Sequence, residues 1–546
     1  MPEQPAKSFN RSGFMMNYTK LQWWERFQKY NTEFPEIDLA IDLSRMHVDD
    51  EFFEKMEPRM QKAFAEMDAL EAGAIANPDE GRMVGHYWLR DASLAPTPEI
   101  RHEIESTYKK IKEFVSKVHA GTIHGAGGKF KNYLLIGIGG SALGPQFVAH
   151  ALGNPRKDKI KPFFFDNTDP DGMNRTLDMI GNKLDRTLCI VISKSGGTKE
   201  TRNGMLVAQA AYEKEGLEFG DHAIAITMAS SELEKYAKAG KWLEIFPMWD
   251  WVGGRTSELS AVGLLPAALQ GIEIDGILEG ARKADKLTRV RNVNENPSAL
   301  ITLSWYISGN GNGDKNMVVL PYKDRLELFS KYLQQLIMES LGKSNDKDGK
   351  LVNQGISVFG NKGSTDQHSY IQQLRDGRDD FFATFIEVKT DGGEPILTEK
   401  ESTSGDFLQG FFLGTRSALT EKNRESTTIT IGNLNARTVG ILISIYERSV
   451  GYYASLINVN AYNQPGVEAG KKAAETVITI QRKIIAFLTA NKKQPFTVEE
   501  IAKGIDRKED IETIYKICER FIENRNRQIK KAKKKKDYKS QYIMIS

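Results

Sequence analysis

IVISKSGGTKET, residues 190–201, runs a short apolar strand directly into Ser193, Lys194, Ser195, Gly196, Gly197 and Thr198. Glycines let the backbone approach a ligand, hydroxyls and an ammonium supply donors, and the segment that follows opens a helix whose free N–H groups favour an anion. The stretch reads as a phosphate cradle on a strand-to-helix turn. Ser and Thr are also favoured as ordinary helix caps, so this stretch alone leaves both readings open.

Outward from it the pattern recurs. YLLIGIGG (133–140), FFFDN (163–167), TLCIVIS (187–193) and HAIAITMAS (222–230) are short apolar runs separated by helix-length segments. Such spacing predicts a parallel sheet with helices on both faces. A second series follows: NMVVLPY (316–322), an amphipathic helix over DRLELFSKYLQQLIMES (324–340), ISVFGN (356–361), DFFATFIEV (380–388) and TVGILISIYE (438–447). Residues 343–350, rich in Gly, Lys and Asp, read as a surface loop between them. The first hundred residues carry helical signals, with NPDEGRMVGHYWLRD (77–91) as a turn and packed helix start. The expected division is a helical segment over 1–99, α/β domains over 100–290 and 291–490, and a helical, Lys-rich appendage over 491–546.

Bulk properties limit the function classes. At 546 residues the chain exceeds one ordinary core, and 40% apolar with 27% charged residues is the composition of a globular protein without a membrane span. The first 14 residues lack the apolar region of a secretory signal. Two cysteines, Cys189 and Cys518, make neither a disulfide framework nor a metal cluster, which fits a reducing cytoplasm. A net charge of +3 does not argue for nucleic acid, and the run from Lys530 to Lys536 reads as a solvated tail.

Six stretches carry polar residues that a fold alone does not require. LLIGIGGSALGP (134–145) is a strand, a glycine turn with Gly140, and a helix start with Ser141 at the cap; an incomplete dinucleotide spacing or a sugar-phosphate turn would both give it. The opening stretch adds Glu200 beyond its hydroxyls. WDWVGGRTSELSAVG (249–263) offers Gly253 and Gly254 for close approach and Arg255 as a fixed cation, the alternative being a surface salt bridge. On the 324–340 helix, Glu339 lies at the edge of an apolar stripe, where desolvation would raise its pKa toward that of a useful base; Gln335 sits one turn earlier on the same face. GNKGSTDQHSY (360–370) presents His368 after a polar turn, and NQPGVEAGKKAA (463–474) places Gln464 and Lys471 about a helix start. Taken singly, each has an ordinary structural reading.

In this order, the six stretches resemble the phosphoglucose isomerase (glucose-6-phosphate isomerase) family of the sugar isomerase (SIS) fold, over about residues 77–472. The WDWVGGR block, QQLIMES, STDQHSY and QPGVEAGK carry the likeness most strongly. The resemblance implies two SIS-type α/β/α sandwich subdomains with mostly parallel sheets. It implies isomerisation of glucose 6-phosphate and fructose 6-phosphate through a cis-enediolate in glycolysis and gluconeogenesis. Another phosphosugar isomerase or a phosphosugar-binding regulator of the same fold is the alternative, and a regulator would need neither Glu339 nor Arg255.

By resemblance Glu339 is the base, Arg255 steadies the enediolate, and His368 and Lys471 open the sugar ring. Gly140, Ser141, Ser193, Lys194, Ser195 and Thr198 contact the phosphate region, with Glu200 nearby, and Gly254, Gln335 and Gln464 touch substrate. No metal or organic cofactor is implied. Ser195 stands where many members carry Thr, Gly196 and Gly197 where many carry bulkier residues, and Thr256 where some carry an aromatic. The family's His comes from a neighbouring subunit, so a homodimer is implied, with no membrane partner.

Overall fold

A computed structural model describes residues 18–533 and 540–545. The chain divides into two units, Met1–Asn463 and Gln464–Ser546. In the first, the strands are β1 (Asn31–Phe34), β2 (Leu39–Arg45), β3 (Asn132–Ile136), β4 (Lys161–Phe165), β5 (Thr187–Ile192), β6 (Ala223–Thr227), β7 (Glu244–Pro247), β8 (Asn316–Pro321), β9 (Lys343–Asn345), β10 (Leu351–Gln354), β11 (Val358–Phe359), β12 (Phe381–Val388), β13 (Leu397–Glu399), β14 (Ser402–Thr403) and β15 (Ser426–Ile431).

The first sheet has the order β4-β3-β5-β6-β7 and is parallel throughout. Every residue of β3, β5 and β6 is buried, which is why these strands read as unbroken apolar runs. Successive side chains go to opposite faces: Ile190 and Ile192 join the main core, while Cys189 and Val191 join a second core with Leu134, Phe163 and Met205. After β3 the chain goes first to one side, to β4, and then returns to the other, to β5. The loops after β3 and β5 therefore diverge and leave a crevice at the strands' carboxyl ends, the place where open α/β sheets take ligands.

The second sheet has the order β1-β2-β15-β12-β8-β11. Its last four strands are parallel, and β1 and β2 add an antiparallel edge. The expectation of an all-helical N-terminal segment is corrected here. Helices Lys20–Tyr30, Asp50–Glu71 and Pro98–Ala120 are present, but LAIDLSR alternates with the two-residue period of a strand and buries Leu39, Ile41 and Leu43 in the main core. The turn before it uses Pro35 and a left-handed Asp38.

Helices Ile274–Thr288 and Ala436–Leu456 pack beside one another around a set of buried charges. Arg90 reaches Asp285 and Glu447 at 2.9 Å each, and Arg448 reaches Asp285 at 2.8 Å and Glu71 at 2.6 Å. Burial is tolerated because each charge is paired. Burial still pushes the Glu447 carboxyl up to about 7.

The expected helix over 324–340 is three pieces: a 3-10 turn at Asp324–Leu326, an α-helix at Phe329–Leu333 and a π-helix at Gln334–Glu339. The expected surface loop at 343–350 is in part β9, which pairs with β10, and Lys343 within it is buried.

The second unit contains helices Pro465–Ala490, Val498–Gly504 and Ile511–Glu523, then β16 (Ile529–Lys533) and antiparallel β17 (Gln541–Met544). It has its own apolar core, including Ile480, Ile484, Leu488, Ile501, Ile514, Ile517, Phe521 and Tyr542. Because the first of these helices supplies three core residues, the unit starts earlier than the expected boundary at 491. It is also not purely helical: the start of the lysine run is a strand, while Lys534–Lys536, like the N-terminal stretch read for a signal, lie outside the described residues.

Candidate functional site

Two glycine turns meet at the crevice. The 3-10 turn Gly139–Ser141 after β3 packs against Gly254–Thr256 so closely that a Cβ on Gly140 would lie 1.9 Å from the Gly254 carbonyl oxygen. Only glycine permits that approach. Ser141 is buried but is not the cap of the next helix; Ala142 holds that position without a side-chain bond. Around Gly254 itself the space is open.

Across the switch point, β5 delivers the opening stretch. The Gly196 N–H donates to Ser193 Oγ at 3.1 Å and the Gly197 N–H to Ser195 Oγ at 3.2 Å, so the loop curls with its hydroxyls inside the turn. Gly196 has φ +76°, and a Cβ there would meet the Leu233 nitrogen at 2.3 Å. Thr198 precedes helix Lys199–Lys214, yet its side chain makes no capping bond, which weakens the ordinary-cap reading of this residue. Glu200 lies in the first turn. The 16-residue helix directs its free N–H groups and the positive end of its dipole toward the loop.

Lys194 donates to the carbonyls of Asp250 at 2.9 Å and Val252 at 3.0 Å, joining this loop to the WDWVGGR stretch. Burial, with Arg82 adding like charge, depresses its ammonium to about 8. An anion here would meet a cation poor in other ionic partners.

Arg255, in the middle of the Gly254–Thr256 turn, faces the carboxylate of Glu339. Arg255 is 6% exposed, so the surface salt-bridge alternative does not hold. Its Nε donates to Ser340 Oγ at 2.7 Å, its Nη2 to the carbonyls of Ala461 and Asn463, and its Nη1 faces Glu339 Oε1 at 3.7 Å. Burial lowers the guanidinium's pKa and Glu339 opposes that. Gln335 Nε2 donates to Glu339 Oε2 at 3.0 Å, the expected same-face pair, and lies against Gly139. The Glu339 side chain is 16% exposed, so one carboxylate has a fixed neighbour on each side and an opening to solvent. The π-helix widens this turn, a distortion frequent at functional sites.

Sequence reasoning missed Lys343. Its Nζ donates to the Glu339 carbonyl at 2.8 Å and the Asn463 carbonyl at 3.2 Å, and burial, with Arg255 opposing its charge, depresses it to about 8. Its position four residues after Glu339 was the available signal. Asp79, in the stretch read as a turn, accepts from Asn460 at 2.7 Å and from Asn463, bracing the same strand of chain.

The structure thus brings together Gly140, Ser141, Ser193, Lys194, Gly254, Arg255, Gln335 and Glu339, with Ser195 and Thr198 on the adjoining loop and Glu200 in the first turn of the helix after it. His368 does not join them: it ends the 3-10 turn Thr365–His368, is exposed, and among the described residues makes no hydrogen bond or ion pair. Gln464 and Lys471 belong to the second unit, at the start of helix Pro465–Ala490, and the Lys471 side chain lies outside the described residues. Among the described residues no cluster of His, Cys, Asp and Glu suits a metal, and no helix is long and apolar enough to cross a membrane.

The family model described as phosphoglucose isomerase matches residues 42–422 and 415–487. A glucose-6-phosphate isomerase of Geotalea daltonii is 60% identical over 91% of this chain and 94% of its own length. One from Nostoc punctiforme is 55% identical over 92% and 95%. Among solved structures, a glucose-6-phosphate isomerase from Chlamydia trachomatis superposes with a TM-score of 0.76 at 26% identity, covering 86% of this chain and 93% of that one.

Proposed function

This chain belongs to the phosphoglucose isomerase family and interconverts glucose 6-phosphate and fructose 6-phosphate; we propose that Glu339 carries the proton between C1 and C2 and that Arg255 holds the charge this creates. Moving a carbonyl from C1 to C2 requires removing a proton alpha to it and returning that proton to the neighbouring carbon. One carboxylate on one face of the sugar serves both transfers. The intermediate bears negative charge on oxygen, and a guanidinium already fixed by Ser340 and two backbone carbonyls stabilises it without reorganising.

The observation that carries this reading is the single arrangement of Glu339 between Arg255 at 3.7 Å and Gln335 at 3.0 Å. The phosphate is assigned to Ser141 and the Ser193–Thr198 loop, where Lys194 and the helix N-terminus supply charge. Binding energy from that remote group holds the reacting carbons in register. Glu200, Gly140, Gly254 and Gln464 complete the substrate contacts.

Ring opening is assigned to His368 and Lys471, as the family resemblance implies. The exposure of His368 supports a homodimer in which each copy's His368 serves its neighbour. Buried free cysteines at 189 and 518 support a cytoplasmic setting.

A turnover assay with glucose 6-phosphate, coupled to detection of fructose 6-phosphate, tests the activity. Solvent deuterium exchange at C2 tests the base: Glu339→Gln should abolish exchange while inhibitor binding through the phosphate persists. Exchange at the native rate in that variant would remove Glu339 from its role.

A further inference from the structure

We propose that the second unit binds duplex DNA through helix Ile511–Glu523 and the strands β16 and β17. The family match ends at residue 487, within the first helix of this unit. Its topology is specific. Phe496 forms a bridge with Tyr542, its N–H donating to the Tyr542 carbonyl at 3.0 Å and its carbonyl accepting at 2.8 Å. Tyr542 lies on β17, which pairs with β16. The result is a small sheet in the order Phe496, β17, β16, placed in the chain as helix, Phe496, helix, helix, β16, β17.

That is the order of a winged helix-turn-helix. Helix Val498–Gly504 is opened by a Thr497–Glu500 capping box, and a turn through the left-handed Asp506 leads into Ile511–Glu523. Ile514, Ile517, Cys518 and Phe521 face the unit's own core, which leaves Glu512, Lys516, Arg520 and Glu523 exposed on the outer face, with Thr513 half-buried beside them. In DNA-binding proteins of this arrangement the second helix enters the major groove.

Charge separates this unit from the rest of the chain. From Gln464 to Ser546 there are 20 Lys and Arg against 11 Asp and Glu, nine positive charges, whereas the whole chain carries +3 and the remainder is therefore at −6. Near the proposed face Glu512 pairs with Lys516, and Glu519 accepts from Lys531 at 2.9 Å and from Tyr542, while Glu523, exposed at the end of the helix, makes no ion pair among the described residues. Arg520, Arg527 and Lys530 are exposed and, among the described residues, carry no ion pair. A cationic surface of this kind suits a polyanion. The width of the B-form major groove suits a helix, whereas the deep, narrow groove of duplex RNA does not.

Fluorescence anisotropy of the full chain with a labelled DNA duplex of about 20 base pairs, at about 50 and 200 mM KCl, tests the proposal. The expected result is micromolar binding at the lower salt that weakens roughly tenfold or more at the higher. R520E/R527E/K530E should weaken binding by a further factor of about ten and flatten the salt dependence by about two to three contacts. Turnover and circular dichroism of that variant should stay unchanged, and R520Q/R527Q/K530Q should fall between it and the native protein. Absence of salt-dependent binding by the native chain would overturn the proposal. So would native affinity in the charge-reversed variant, or tighter binding to single-stranded RNA or to anionic vesicles than to the duplex.

Discussion

The loop after β5 and the turn that carries Glu339 handle polar groups in opposite ways. In the Ser193–Thr198 loop the backbone folds over its own hydroxyls, Ser195 stays exposed, and the Lys194 ammonium is the one charge held, by the Asp250 and Val252 carbonyls. At Glu339 every charge is held in advance: Arg255 by Ser340 and two carbonyls, Glu339 by Gln335, and Lys343 by the carbonyls of Glu339 and Asn463. A group that only binds an anion can spread the work over many weak donors. A group that must meet charge as it develops has to be fixed beforehand, because reorganisation during the reaction would raise the barrier.

The contrast makes ordered predictions. The largest effect is expected at Glu339→Gln, a fall in kcat of about a thousandfold or more, with inhibitor binding nearly unchanged. Steady-state kinetics and an inhibitor titration check it, and an equal loss of binding would erase the division of labour. Next, Arg255→Met should lower kcat by about a hundred- to a thousandfold, and Arg255→Lys should recover little, since an ammonium cannot keep the fork of bonds to Ser340, Ala461 and Asn463.

Gly140→Ala tests the junction between the two regions. With the added Cβ placed 1.9 Å from the Gly254 oxygen, the turns must part, and we expect about a tenfold or greater loss in kcat together with destabilisation of about 1–3 kcal/mol, read by thermal unfolding. For Lys194→Gln the expected change is a rise in KM of about tenfold with kcat little altered. Because burial depresses the Lys194 ammonium to about 8, its charge is complete below that pH and is lost as pH rises through it. The native KM should therefore climb above about pH 8, and that climb should be absent in the glutamine variant. Ser195→Ala, at an exposed hydroxyl, should change KM by only about twofold to fivefold; a hundredfold effect would mean the loop is as preorganised as the base.

Legibility followed the same division. The strand-turn-helix units were readable because fully buried parallel strands must be apolar and their turns must carry glycine and hydroxyls. Gln335 and Glu339 were readable as a pair because four residues bring them to one face. Lys343 was hidden in a stretch whose Gly, Lys and Asp content reads as solvent-exposed, and its burial depends on Asn463, 120 residues away. The strands β1 and β2 were masked by helical signals on both sides, and β15, which pairs with β2, lies almost 400 residues on.

By itself the sequence determined the alternation of strand and helix, the glycine turns at the strand ends and the residue types available for chemistry, because each depends on local period, backbone freedom or side-chain functional group. The tertiary structure alone decided the strand order that opens a crevice between β3 and β5, the contact of Gly140 with Gly254, and the widening of the Glu339 turn into a π-helix. It also turned Arg255 from a cation in a sequence into a buried, four-sided clamp. Those properties depend on groups distant in the chain sharing one excluded volume, and no local pattern encodes that.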